Sequence, residues 1–413
     1  MHTSLWKNHS FIVLVAGQWI SQVGNALFLM AVSWFVLSRT HSRSDLGYVL
    51  AITGLASVVG VVAGVLADRW NHRRTLILTD ALRAALSLMV VAMWRFYGLT
   101  VVWVAGLLFL LNLLGTLFSA AESAYLPEVT GPEQYGAANG LNQSSSAASQ
   151  LAGLGLGGFL LALGGPILLF LLNGLSFAAS AISLGFTRPR VPQEPRGTES
   201  ASSMAHDLAE GFRLVTRDRF LRRLIPLAVM INFAVMPISI MDVAWVREVL
   251  HRGAVAYGFF GVAILAGMVL GSLTGSVWEK AWGLTRTLIA GMAVTGLMLL
   301  GMAVLPRFFP NLLFLLLAGL GIGAVNAVLS THIILNTAAP LRGRVAGALM
   351  TLTTMATPPG AALVGWASVP LGLPWLFRLS GILIFLLSLG FIGIPSSSAS
   401  APEDSQAPAF PEA

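Results

Sequence analysis

The sequence predicts an all-α membrane protein: twelve transmembrane helices arranged as two pseudo-symmetric six-helix bundles. Three observations lead there. First, charge is scarce, since only 10% of 413 residues are charged and 56% are hydrophobic, with a mean hydropathy of +0.80. Soluble chains carry about a quarter charged residues. Second, the apolar residues fall in long runs near the roughly 20 residues that cross a bilayer core. Third, one long polar stretch divides these runs into equal sets, and a short pattern on one side of it recurs on the other.

Each run is bounded by charges, proline or polar clusters. Phe11 to Leu37 opens the series and is too long for a cleaved signal peptide, whose apolar region is about 7 to 15 residues. Leu46 to Ala67 follows Arg43 and Asp45 and closes on Asp68-Arg69. Leu76 to Trp94 lies between Arg74 and Arg95, and Leu99 to Ala121 ends at Glu122. Ala137 to Leu163 and Pro166 to Phe186 complete the first bundle, residues 1–186. The second bundle, residues 224–394, holds Leu224 to Val246, Ala256 to Trp278, Leu284 to Leu305, Leu312 to Asn336, Val345 to Ser368 and Trp375 to Ile394.

Residues 187–223 form the linker between bundles. Its Pro and Ser content up to Ser203 reads as flexible chain, and Leu208, Phe212, Leu214 and Val215, interleaved with Arg213, Arg217 and Arg219, read as an amphipathic helix on the membrane face. The tail, residues 395–413, has the Ser, Ala and Pro content of a disordered segment. With the N-terminus in the cytoplasm, most Lys and Arg fall on that side. Only Arg39, Arg43, Arg95, Arg247, Arg252 and Arg307 fall opposite, so both termini are expected in the cytoplasm of a multi-pass protein of the cell's inner membrane. The net charge of +7 is therefore a topology signal, and no nucleic-acid partner is expected.

Ionisable residues inside spans are functional candidates by default. Asp80 and Arg83 lie three apart on one face of span three and can neutralise each other. Glu122 ends span four, as a gate or a solvated carboxylate. Asp242 stands among Ile238, Ile240, Met241 and Val243 with no basic residue at i+3 or i+4. Away from water such a carboxyl holds its proton more readily, as proton coupling requires. Arg378, just inside span twelve, is either its partner or reaches out to water.

Gln18, Gln22 and Asn25 share a face of span one. Asn112, Asn142, Asn173, Asn232 and Asn326 add amides to other spans, each also suited to bonding between helices. Together with Trp19, Phe28, Trp34 and Met236 they suit a large, mostly apolar cavity for an amphipathic molecule. Gly153, Gly155, Gly157 and Gly158 in span five and Pro358-Pro359-Gly360 in span eleven weaken helices where two halves must move.

Between spans two and three stands Gly64-Val65-Leu66-Ala67-Asp68-Arg69-Trp70-Asn71-His72-Arg73-Arg74. This closely resembles the signature of the major facilitator superfamily, in which glycine, a short run, Asp-Arg and a basic pair occupy the same loop. Gly60, Gly64 and Asp68-Arg69 recur at one constant offset as Gly271, Gly275 and Glu279-Lys280, a degraded second copy. Leu126-Pro127-Glu128-Val129 with Asn139-Gly140-Leu141-Asn142, the stretch from Leu208 to Arg223, and Arg342-Gly343-Arg344-Val345 look like the branch of macrolide-efflux proteins and the enterobactin exporter. The resemblance implies a cytoplasmic gate at Gly64, Asp68, Arg69, Arg73 and Arg74, with Asp68 pairing with basic side chains and the start of span eleven when that side is shut. A carboxylate near a helix N-terminus gains about 0.3 to 1 kcal/mol. The chain departs from the superfamily's antiporters in having no Gly-Pro pair in span five and no basic residue in span four.

Other classes find little support. There is no cysteine, no H-E-x-x-H, no Walker loop, and His332 is the lone histidine within a span. No cofactor, metal or enzymatic activity is expected. The reading is a secondary-active exporter of a drug-like or siderophore-like molecule, working by alternating access as a monomer and coupled to protons. An importer or lipid flippase of the same fold is the runner-up, with a membrane-embedded enzyme behind it.

Overall fold

The computed structural model describes residues 5–67, 70–96, 98, 100–191, 219–336 and 342–393, and among these there is helix and no strand. The first bundle runs α1 (His9–Thr40), α2 (Arg43–Ala67), α3 (His72–Phe96) and α4 (Val101–Thr130). A 51-residue helical segment, Tyr135–Gly185, follows and breaks at Gly165 (φ 65°, ψ −173°) just before Pro166. Only glycine takes such a conformation freely, and the proline has no N–H to offer the preceding turn. The two arms are named α5 (residues 135–164) and α6 (residues 166–185). The second bundle runs α7 (Arg219–Ala244), α8 (Ala254–Trp282), α9 (Leu284–Val304), α10 (Phe308–Asn336), α11 (Arg342–Leu371) and α12 (Leu373–Ser388). By length and apolar content, nine helical segments among the described residues are able to cross a membrane, Tyr135–Gly185 counting as one.

Helix ends follow local chemistry. The Asn8 side chain accepts the Phe11 N–H and caps α1, which ends on His41 in the left-handed region. Gly131, Gly283 and Gly372 close α4, α8 and α11. The helices pack through small residues, which let backbones approach in a lipid-exposed bundle. Gly17 and Gly24 of α1 meet Ser180 and Ser176 of α6, while Gly60 of α2 meets Thr116 of α4. In the second bundle Gly271 and Gly275 of α8 meet Leu320 and Ala324 of α10. The α2–α4 pairing is thus repeated as α8–α10, with Gly60 and its repeat Gly271 each at the contact.

Two elements differ from the sequence expectation. Helix α4 continues through Glu122 to Thr130, because Tyr125, Leu126 and Val129 bury against Phe11, Leu14 and Ala138. Glu122 therefore sits within a helix rather than at its end. Helix α7, which contains Pro226 and Pro237, passes into one wider π turn at Trp245–Val249. There the Trp245 ring is fully buried, donates to Asn311 Oδ1 at 3.3 Å and packs on Phe377. The expected amphipathic helix before Arg219, the Asp68-Arg69 pair and the C-terminal tail lie outside the described residues.

Candidate functional site

The two bundles meet along α2 with α11 and α5 with α8. Their described side-chain contacts gather at the end away from the N-terminus, where α1, α7 and α11 finish; this is the distal end. There Arg43, at the start of α2, donates through Nε (2.8 Å) and Nη2 (2.5 Å) to Glu248 Oε2 in the π turn, and through Nη1 to the Ser368 carbonyl of α11 at 2.9 Å. One guanidinium fork thus ties one bundle to two helices of the other. Nearby, a Cβ on Gly47 would lie 2.5 Å from Gly365 Cα. The α2–α11 crossing is backbone on backbone, a closeness that any larger side chain would forbid. Trp34 of α1 stacks on Tyr257 of α8, and the Arg247 guanidinium lies 4.9 Å from the Trp34 ring centroid.

Beneath this closure lies a cavity of about 620 Å³, walled by α1, α2 and α5 on one side and α7, α8, α10 and α11 on the other. Leu29, Met30, Leu154, Ile264 and Met268 make much of its surface apolar, and Gln22, Asn25, Ser33, Thr53, Gln150, Asp242 and Tyr257 supply its polar groups. That volume and mixture suit a drug-sized ligand. Of the described lining residues Asp242 alone carries a formal charge. Its Oδ1 accepts the Val243 N–H at 2.7 Å, and the Tyr257 hydroxyl lies beside it and Ser33.

Three further intramembrane charges, Asp80, Arg83 and Glu122, sit within the first bundle. Arg83 Nη1 donates to Asp80 Oδ1 at 3.2 Å, and Arg83 Nη2 donates to Asn25 Oδ1 at 3.1 Å. The guanidinium lies 3.9 Å from the Phe177 ring centroid, a cation–π contact. Gln18 reaches Ser180 at 3.4 Å, and Ser180 neighbours Asp80. Asn142 donates to Glu122 at 3.1 Å.

The sequence candidates thus separate. Gln22, Asn25 and Asp242 converge on the cavity, whereas Gln18 is spent on Ser180. Asn112 and Asn232 turn back onto their own helices, bonding the carbonyls of Leu108 and Ala228, and Asn326 is exposed outside the cavity lining. Arg378 is not the partner of Asp242. The two form no ion pair, and the Arg378 guanidinium lies over Trp375, three residues earlier on its own helix. The nearer ring claims the flexible side chain.

Of the gate motif, Gly64 lies in α2, and Arg73 donates to the carbonyls of Leu184 (3.2 Å) and Gly185 at the end of α6. Arg74 donates its backbone N–H to Asn71. His72 Nδ1 and Glu128 Oε1 approach to 2.6 Å. In the second copy Glu279 is half-buried and Lys280 exposed at the end of α8. The sequence reading missed Arg43 and Glu248, which look like ordinary loop charges until α2 and α7 are placed side by side. It also missed Ser33 and Tyr257. Ser33 was detectable, since it continues the helical spacing of Gln22, Asn25 and Leu29 along one face of α1.

Two helical bundles enclosing a central cavity at their interface define a multi-pass membrane transporter. The chain belongs to the major facilitator superfamily, whose family model matches residues 14–277. It is 25% identical to the multidrug efflux pump Tap of Mycobacterium tuberculosis over 397 residues, covering 94% of each chain. It is 22% identical to macrolide efflux protein A of Streptococcus pyogenes, covering 93% of this chain and 95% of that one. Among solved structures, a point mutant of the nucleoside transporter NupG superposes with a TM-score of 0.75 at 12% identity, covering 93% of this chain and 99% of that one.

Proposed function

We propose that the chain exports an amphipathic small molecule, drug-like or siderophore-like, across the cell's inner membrane by alternating access, driven by protons flowing the other way. The observation that carries this reading is the interface cavity beneath a distal end tied shut by Arg43, Glu248 and Ser368. The loop charges favour cytoplasmic termini, which makes the distal end the outer one and this arrangement the inward-facing half of the cycle. A substrate then enters from the cytoplasm or the inner leaflet. The relatives named as efflux pumps, similar over nearly their whole length, favour the outward direction.

Asp242 is the carboxyl group placed to exchange a proton during that cycle, because it faces the cavity and no basic side chain among the described residues pairs with it. At the cytoplasmic end the loop from Gly64 to Arg74, with Asp68, serves as the gate when the halves rock the other way. One chain encloses the whole cavity, which supports a monomer as the working unit. Everted membrane vesicles containing the protein, energised to an acidic interior, test the reading. Across a broad panel of amphipathic compounds, at least some should collapse the pH gradient in a protein-dependent way. A gradient indifferent to every compound rules out proton-driven export.

A further inference from the structure

The cavity has two polar poles, one on each bundle, and their chemistries are opposite. On the first bundle, Asn25 lines the cavity while its side-chain oxygen accepts a hydrogen bond from Arg83. A guanidinium only donates, so the atom facing it must be the amide oxygen, and the Nδ2 end is thereby fixed. Arg83 is itself held by Asp80 at 3.2 Å and by the Phe177 ring, so the orientation has little freedom to reverse. Among the described residues Asn25 Nδ2 makes no hydrogen bond and is not sealed in the protein interior. It therefore offers two N–H donors to whatever occupies the cavity.

On the second bundle, Asp242 offers the reverse. One carboxylate oxygen is held by the Val243 N–H, and no cationic side chain among the described lining residues balances the charge. An ionised carboxylate in an apolar enclosure is costly unless paired, so an occupant that carries a positive charge gains there. Leu, Ile and Met side chains supply about half of the rest of the described lining.

We propose that the cavity recognises its substrates at two points: an oxygen acceptor at the Asn25 amide and a protonated or quaternary amine at Asp242, with an apolar body between. This rests on the export reading for its physiological meaning, but not for its test, because binding to purified protein requires no gradient.

Three probes isolate the two points: (4-benzoylbenzyl)trimethylammonium, which has a ketone and a cation; (4-benzylbenzyl)trimethylammonium, which replaces the ketone with a methylene; and 4-methylbenzophenone, which keeps the ketone without the charge. Equilibrium dialysis against the purified, detergent-solubilised chain should place the first tightest, with the ketone worth about fivefold over the methylene. Asn25→Asp, which keeps an oxygen for Arg83 but removes the N–H donors, should erase the ketone's advantage and retain the preference for cations. Should that variant fold poorly, Asn25→Ala should erase the same advantage. Asp242→Asn should do the converse, abolishing the cation preference while the ketone still counts. A ketone advantage that is absent from the parent protein, or that survives both Asn25 substitutions, overturns the inference. Vesicles that show no transport while the probe ranking holds would instead sink the export reading alone.

Discussion

Helix α3 and helix α7 each carry an aspartate within the membrane, and the two have been given opposite surroundings. Asp80 is fully buried and faces Arg83 one turn along its own helix, and the arginine is in turn covered by Phe177 and Phe118. Asp242 sits beside a π turn at the cavity wall with no cationic side chain among the described lining residues. The same side chain is thus an internal counter-ion in one bundle and an open acceptor in the other. What distinguishes them is the partner at i+3, which α3 has and α7 lacks. A neutralised charge can orient neighbours, as Arg83 does Asn25, whereas an unpaired one remains available to a proton or a ligand.

The largest effect should come from breaking the closed pair. Replacing Asp80 by Asn leaves a buried guanidinium without its counter-charge, and losing one member of such a pair costs about 3–5 kcal/mol. Thermal unfolding in detergent should show Asp80→Asn severely destabilised. The double variant Asp80→Leu/Arg83→Met, which removes both charges and refills the volume, should be more stable than Asp80→Asn alone. If the single and double variants melt like the parent, the pair contributes nothing to the bundle and the contrast with Asp242 collapses.

Asp242→Asn should behave in the opposite manner. Removing an unpaired charge from an apolar wall relieves a desolvation cost, so its melting temperature should equal or exceed the parent's. Transport should nonetheless lose its dependence on the pH gradient, because an amide has no proton to exchange in the range where a carboxyl does. The check is substrate flux in vesicles at several imposed gradients. Flux that still rises with the gradient in Asp242→Asn would move the coupling role elsewhere, with Glu122 the next carboxyl to test because it lies within α4 and is held by Asn142 rather than by an ion pair.

The contrast was half legible in the sequence. The i, i+3 spacing of Asp80 and Arg83 announces their pairing, and the lack of a basic neighbour announces that Asp242 is open, since both depend only on helical periodicity. Spacing along one helix says nothing about the other helices, and there the reading fell short. Arg378 is at a depth where it could meet Asp242, yet Trp375 on its own helix takes the guanidinium. Asn112 and Asn232 belong to spans that help build the bundles, but their amides bond carbonyls one turn back. The fold itself was more readable than the site, because twenty-residue apolar runs and recurring glycines are written locally, while the bridge from Arg43 to Glu248 joins residues 205 apart in the chain.

That bridge supplies the smallest expected effect and sharpens the comparison, since under the proposed alternating access it is an ion pair that must open. With side chains 26% and 34% exposed, it is wetter than Asp80–Arg83, and pairs of this kind contribute about 0.2–1 kcal/mol. Too strong a pair would trap the distal end shut, and one this weak shifts the balance between arrangements by at most about fivefold. The chain has no native cysteine, so a single Leu37→Cys, at a position only 2% exposed beneath the closure, reports opening without background. Labelling by a membrane-impermeant maleimide should accelerate about two- to fivefold in Arg43→Gln and in Glu248→Gln. The two substitutions together should add little to either alone, because both remove the same contact. Labelling at the parent rate in both single variants would mean that the backbone contact of Gly47 with Gly365 holds the distal end shut unaided.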